Sequence, residues 1–382
     1  MTTQQRRYDI DWLRTLAFFI LIAYHIGMYY VFEWGWHIKS EHQSIWLQDV
    51  MILSNQWRMS LLFFISAMAL SLYQLHNPHQ GVIGLRSKRL LIPLVLGMLV
   101  IVPPQLYVEL HEISDYSASY RSFLSDYYNL NTTLAPERHS PLGLLTWNHL
   151  WFLPYVFVYS VITVALRPLL VKICQLALLQ GASLWSFIAV LVGVMSIIWL
   201  NLRREFPVTH DLVNDWYSHA KYFWVFIVGY CLPHLNGVWR ALIRRRWYLL
   251  AIAIACYAFL IADRHGAWSL LADQFEHNLA VRSFYAIVVT LNHWAWIICL
   301  VGLAGAYLRF SNAFLVYANR ALLPWYIMHQ TLIVVAAAWL KPQSIPVGIE
   351  FGMIVAFTLV GCTLTYEIVK RFTIGRWLFG LK

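Results

Sequence analysis

Residues 11–30 read DWLRTLAFFILIAYHIGMYY, a nearly continuous apolar stretch interrupted by one guanidinium and one imidazole. As a helix, a run of this length crosses a hydrocarbon core of ~30 Å. It is too long for the core of a signal peptide and no small-residue cleavage site follows, so it reads as a retained membrane span. Arg14 and His25 are costly in lipid. Ionisable side chains on such a segment normally face a protein interior or a water-filled cavity, and they mark function. Their separation of eleven residues is three helical turns, which puts both on one face, ~16 Å apart at ~1.5 Å rise per residue. Arg14 then lies near one membrane boundary and His25 near mid-depth.

The rest of the 382-residue chain repeats the apolar pattern: 60% of it is hydrophobic and only 12% charged, with a mean hydropathy of +0.58. A soluble domain of this length needs a charged surface, so the composition specifies an all-α polytopic membrane bundle. About ten spans are expected, approximately Ile10 to Phe32, Ile45 to Leu75, Leu90 to Leu110, Trp147 to Leu166, Ser183 to Leu202, Tyr222 to Leu235, Trp247 to Ala262, Phe284 to Leu308, Leu322 to Leu340 and Ile349 to Val369. If the loops alternate between sides, those on the side of the two termini hold 17 of the 28 Lys and Arg. Most acids, among them Glu109, Glu112, Asp115, Glu137, Asp211, Asp215, Asp273 and Glu276, fall on the other side. The positive-inside rule then places both termini in the cytoplasm. Each basic cluster flanks a span, which accounts for the net charge of +10 without nucleic acid. No repeat period and no separate soluble domain is visible, so a single domain over residues 1–382 is expected. The longest loop, His111 to Thr146, is polar and aromatic, and reads equally as a cap over a cavity or as a disordered connection. The five cysteines have neither the spacing of a disulfide framework nor that of a metal cluster, and no metal is expected.

His25 is the leading catalytic residue. A neutral imidazole in a low-dielectric site suits a general base or an acyl-accepting nucleophile; the alternative is a packing histidine bonded across helices. Arg14 cannot lose its proton and needs an anion nearby. Asp11, one turn earlier, is one candidate, and a ligand phosphate or thioester oxygen is the other. Arg86, Lys88 and Arg89 precede the third span. Two guanidinium forks at i and i+3 can grip phosphates, although topology-setting charge gives the same pattern. Arg58 in the second span, His149 at the start of the fourth, His293 in the eighth, and Tyr326 and His329 in the ninth are the further polar residues of a common substrate cavity. Each alone is ordinarily a packing or interfacial residue. No Gly-rich phosphate loop, HExxH or GxSxG pattern occurs, which removes support from P-loop phosphoryl transfer and zinc proteolysis.

Taken together and in order, these elements resemble the acyltransferase-3 family of integral membrane O-acyltransferases. Arg14 with His25 is similar to the family's first-span pair, and Arg86-x-x-Arg89 followed by Pro93 to its motif before the third span. Further matches are Phe63-Phe64-x-Ser66, His149-Leu-Trp-Phe-Leu153, Tyr326-x-x-His329, and the ending with Glu367, Arg371, Arg376 and Leu378-Phe-Gly. The chain departs in having Ser66-Ala67 where Ser-Gly is common, and it lacks the hydrolase-like domain that some members carry.

The resemblance implies an acyl-CoA donor entering from the cytoplasm with its phosphates near Arg86, Lys88 and Arg89. An acetyl or succinyl group would pass near His25 to a hydroxyl of an extracytoplasmic glycan. Arg14 would orient His25 or stabilise the thioester oxyanion. The setting implied is a bacterial inner membrane, with lipids and a glycan as partners and a homo-oligomer compatible with the sequence. Two rivals remain at this level: a secondary transporter or flippase, which predicts paired halves with matching discontinuous spans, and a sensor or scaffold, which leaves Arg14 unexplained.

Overall fold

The computed structural model describes residues 6–77, 81–114 and 116–381; Asp115, one of the outer-loop acids, lies outside them. The apolar runs fold as helices. α1 (Tyr8–Tyr30) is followed by α2 (Ile45–Asn55), α3 (Arg58–His76), α4 (Val82–Leu96), a π-helical turn at Gly97–Ile101, and α5 (Pro103–Ile113). The long loop contains α6 (Tyr120–Tyr128) and 3-10 turns at Pro136–Arg138 and Asn148–Trp151. Beyond it come α7 (Phe152–Ala165), α8 (Arg167–Cys174), α9 (Ala177–Gln180), α10 (Leu184–Leu202) and α11 (Trp216–Cys231). The chain continues through α12 (Asn236–Arg264), α13 (Ser269–Gln274), α14 (Leu279–Tyr307), α15 (Ala313–Leu340), α16 (Val347–Val369) and α17 (Thr373–Leu378). The described residues hold no named strand, only isolated bridges.

Among the described residues eight helical stretches are long and apolar enough to cross a membrane, and nine if α4 and α5, bent by 42° to each other, form one span. The sixth expected span, Tyr222 to Leu235, is not of that kind. α11 runs for only 16 residues, starting at Trp216 rather than Tyr222, and gives way to a 3-10 turn at Leu232–His234 that contains Pro233. Proline cannot donate to the preceding turn, so the helix stops there. Two other spans differ from expectation. The second is interrupted at Gln56 and Trp57 between α2 and α3. The seventh is longer than its apolar run, since Arg240, Arg244, Arg245 and Arg246 belong to the 29-residue α12 rather than to a loop. The bend before α5 coincides with Pro103 and Pro104, whose rings remove two amide donors.

Helix starts follow ordinary capping chemistry. Asp9 and Asp11 occupy the first turn of α1, where negative charge complements the helix dipole. Ser183 Oγ accepts the Ser186 amide at α10, and Asn278 accepts the amides of Ala280 and Val281 at α14.

The chain packs as two compact units drawn from three stretches each. The first comprises Met1–Ala17, Ile52–Gln80 and Val158–Leu315; the second comprises Phe18–Met51, Gly81–Phe157 and Val316–Lys382. In the first unit small residues let helices approach closely, as is usual between membrane helices. A Cβ on Gly229 of α11 would lie 2.5 Å from the Phe64 carbonyl of α3, and one on Gly302 of α14 would lie 2.6 Å from the Leu242 carbonyl of α12. Phe63 stacks on Tyr222 with ring centroids 4.8 Å apart. In the second unit the long loop is folded. Tyr107, Phe123 and Tyr127 pack ring against ring, and Tyr127 and Tyr128 donate to the Met98 and Leu99 carbonyls of the π-helical turn at 2.7 and 2.6 Å.

A paired imidazole centre in the second unit

α1 and α15 supply the centre. His25 Nδ1 lies 2.8 Å from His329 Nε2, and the two rings are stacked with centroids 5.0 Å apart and planes 15° apart. His329 is fully buried, and its Nδ1 lies 2.8 Å from the Tyr326 carbonyl, one turn earlier on α15. These partners fix the neutral tautomers. A carbonyl only accepts, so His329 carries its proton on Nδ1 and presents Nε2 as an acceptor. His25 must then donate from Nδ1, which leaves its Nε2 as the basic nitrogen. Phe18 lies edge-on to His329 at 5.8 Å, and the His149 ring at 5.3 Å. Phe18 and His149 thus flank the buried His329, while His25 stays partly exposed.

A network of amides and histidines surrounds this core. His149 is buried, with Nε2 donating to the Ile327 carbonyl at 3.0 Å and Nδ1 accepting from Gln105 at 3.3 Å. Tyr326 donates its hydroxyl to the His149 carbonyl at 2.7 Å. Gln105 also reaches Thr331, whose hydroxyl returns to the Ile101 carbonyl at 2.7 Å. Gln330, next to His329, donates towards His37 Nε2 at 2.9 Å and Gln105 Oε1 at 3.1 Å. His37 in turn places Nδ1 2.6 Å from Glu109, which Arg138 meets from its other oxygen at 3.1 Å. Buried polar groups are costly unless bonded, and this cluster satisfies its members one after another.

The last turn of α1 is fastened separately. Tyr29 and Tyr30 both donate to the buried Glu350 of α16, at 2.9 and 3.1 Å. Lys39 folds back from the following loop and donates to the carbonyls of Met28 and Val31 at 2.8 and 2.6 Å. A cation at a helix C-terminus satisfies orphan carbonyls and favours the dipole. His25 therefore sits about one turn before a fixed helix end.

The sequence-based candidates separate into groups. His25, His329, Tyr326 and His149 belong to this centre, and His149, for which an exposed interfacial position was the alternative, is buried. Arg58 and His293 belong to the first unit, where His293 Nδ1 lies 2.8 Å from the Gln56 carbonyl. Arg14 pairs with Asp11 at 3.1 Å on its own helix. Eleven residues along α1 separate it from His25, a rise of ~16 Å. Arg86 and Arg89 do lie within a helix, on the expected shared face, and Arg89 Nε donates to the Gly380 carbonyl at 3.3 Å. Gln105, Gln330, His37, Glu109 and Glu350 were not singled out from sequence. As isolated polar residues in or beside apolar runs they carry no spacing signal. Among the described residues no group of three or more His, Cys, Asp or Glu is placed to hold a metal ion.

An acyltransferase domain model matches residues 7–367, so it takes in both units and the whole imidazole centre. This chain belongs to the acyltransferase-3 family. It is a membrane-spanning acyltransferase. The acyltransferase is similar to proteins named glucans biosynthesis protein C from Escherichia coli, with 24% identity over 99% of this chain and 95% of the relative, in strains SMS-3-5 and K12. It is similar at 23% identity, with the same coverage, to the protein of that name from Salmonella typhi. No solved structure matches it.

Proposed function

We propose that this acyltransferase moves an acyl group from acyl-CoA to a glycan hydroxyl, with His25 Nε2 as the general base. The observation that carries this reading is the His25–His329 pair, which leaves one basic nitrogen at a defined place on a membrane-buried helix. Three considerations support it: the family's chemistry, the relatives' name for glucan biosynthesis, and the basic residues Arg86, Lys88 and Arg89 at the start of α4. In the reaction, the acceptor hydroxyl gives its proton to His25 Nε2 as its oxygen forms the new C–O bond. The C–S bond breaks, and the proton passes on to the thiolate, releasing CoA as the free thiol. The imidazolium formed in between is stabilised because His25 Nδ1–H already points at the His329 lone pair. A charge thus appears only transiently in a region where a resting charge is costly.

The donor's phosphates would lie against Arg86 and Lys88, with Arg89 partly committed to Gly380. Arg14 would supply fixed positive charge to another part of the donor rather than to the oxyanion at His25, because of its distance along α1. The acyl group would be acetyl or succinyl, and the setting a bacterial inner membrane with both termini cytoplasmic. Incubating the purified protein with radiolabelled acyl-CoA and a β-glucan tests the reading: label should enter the glucan with wild type and not with His25→Ala. Equal transfer by that variant, verified as folded, would remove His25 from the chemistry. The same nitrogen would carry the acyl group in a two-step route, which rapid-quench trapping of acylated His25 distinguishes from direct base catalysis.

A further inference from the structure

The second unit carries an aromatic platform beside the imidazole centre that acyl transfer at His25 does not itself use. Along α1, residues 21–31 are buried except at Ala23, Tyr24 and His25, so the imidazole shares its accessible place with a phenol ring. The two rings lie edge to face with centroids 6.0 Å apart. Tyr24 also meets Trp34 of the following loop at 6.0 Å, with the planes 33° apart. Trp36, two residues on, lies 5.7 Å from His37, which opens the hydrogen-bonded chain through Glu109 and Gln330. Both indoles are half-buried. With Tyr24 they rest on a buried cluster of Met28, Val31 and Met51, and the remainder of each ring is accessible. Glu33 precedes them and is exposed. A reciprocal pair fixes it in place: its amide donates to Gln48 Oε1 at 2.9 Å, and Gln48 Nε2 donates to its carboxylate at 2.8 Å. Gln48 is fully buried.

Indoles anchored by packing, open to a ligand and set beside a fixed carboxylate suit a sugar. A pyranose whose substituents are all equatorial, such as β-linked glucose, turns only C–H bonds to either face, and these sit well on the negative face of an aromatic ring. Its hydroxyls lie around the edge. A carboxylate accepts several hydrogen bonds at once, so Glu33 can serve a hydroxyl as well as Gln48. A purely apolar ligand such as a lipid chain has no use for that group. We infer that Tyr24, Trp34 and Trp36 form the stacking subsite for the glycan acceptor, with Glu33 accepting from one of its hydroxyls. The ring contacts from Trp34 to Tyr24 and from Tyr24 to His25 make the path continuous. A glycan seated on the indoles therefore extends along Tyr24 and brings a neighbouring hydroxyl to the accessible side of His25. The identity of the occupant rests on the acyl-transfer reading above, whereas its place rests on these contacts.

Binding and turnover are read separately. The full chain is purified in a detergent without a sugar headgroup, and a β-linked gluco-oligosaccharide is added under saturation-transfer difference NMR. Saturating the aromatic protons should transfer signal to the glucose C–H protons. A β-linked galacto-oligosaccharide, whose axial hydroxyl interrupts one flat face, should bind about fivefold more weakly. Trp34→Met and Trp36→Met refill the packing against Met28 and Met51 but offer no ring, and thermal unfolding verifies that they fold. Each should raise the dissociation constant about tenfold, equivalent to ~1.4 kcal/mol. Trp34→Phe and Trp36→Phe should recover part of the loss. In acyl transfer the same Met variants should raise the acceptor KM about tenfold and leave the donor KM unchanged. Tryptophans that only anchor the chain at the membrane boundary predict wild-type affinity in the Met variants. That result, or a wild type that does not bind the gluco-oligosaccharide, overturns the assignment. Ring-dependent binding by a protein that transfers no acyl group would uphold the subsite and overturn the His25 reading alone.

Discussion

At the scale of single residues, the paired imidazoles make a sharper claim than His25 alone. His329 is argued to act through His25, as the acceptor that selects its tautomer and stabilises its protonated form, so it is a positioning residue. His329→Ala is expected to lower kcat by roughly 10²–10⁴-fold with little change in donor KM, the range typical of lost acid–base assistance. His329→Gln should recover part of that loss, because an amide oxygen can accept from His25 Nδ1–H where a methyl group cannot. Measuring kcat and KM for the pair of variants decides the point: equal losses in both would mean that the ring merely fills space. The sequence marked both histidines separately. It could not pair them, since 304 positions separate them and nothing in local periodicity reports a contact across helices. Arg14 teaches the converse. Its place inside an apolar run was legible, but its partner Asp11 was the simpler of two options, one turn away on the same helix.

At the scale of elements, two devices can be tested. The C-terminal end of α1 is held by Lys39, whose burial pushes its ammonium from 10.5 down to about 8. Between these values the unfolded chain binds a proton that the folded chain has released. This group therefore adds to stability as pH rises through that window, and the contribution is lost as pH falls through 8. The neutral amine still has two hydrogens for the Met28 and Val31 carbonyls, so the cap itself survives deprotonation. The unfolding midpoint of wild type should rise relative to Lys39→Met between pH 7.5 and 9.5, and a constant difference would show that Lys39 does not titrate there. The second device is the contact of α11 with α3 at Gly229. Adding even a methyl group against the Phe64 carbonyl forces the helices apart, and Gly229→Ala should cost about 1–3 kcal/mol; chemical denaturation in detergent checks it. Helix existence was legible because lipid requires long apolar runs. The interruptions were not, since Gln56-Trp57 reads as a polar blemish in an apolar run, and the stop at Pro233 falls inside a stretch that hydropathy alone extends to Leu235.

For the whole molecule, hydropathy and charge specified the class of fold, and an ordered set of weak motifs specified the family. The buried polar network stayed hidden for a physical reason. Gln105, Gln330 and Glu350 contribute only when brought beside one another, and Glu350 resembles any acidic residue opening a helix. Orientation in the membrane rests on a different kind of reasoning, the distribution of charge along the entire chain. The side assigned to the termini holds 17 of the 28 Lys and Arg, and clusters such as Arg240 to Arg246 flank apolar helix and resist translocation. Each loop's sidedness follows from the others only if every intervening span crosses, and α11, at 16 residues, is the weakest member of that series. A fusion experiment probes it directly. Green fluorescent protein joined after Lys382 should fluoresce and alkaline phosphatase there should be inactive, while phosphatase inserted after Thr133 should be active. Fusions after Thr209 and after Gly237 then bracket α11, with activity expected for phosphatase at the first and fluorescence at the second. If both report the same side, α11 does not cross, the sidedness of every later loop reverses, and the C-terminus moves outside. That outcome would place the end of α15 nearest Arg320 and the basic start of α4 on opposite faces of the membrane, and it would require the donor's entry side to be argued anew from Arg86 and Lys88 alone.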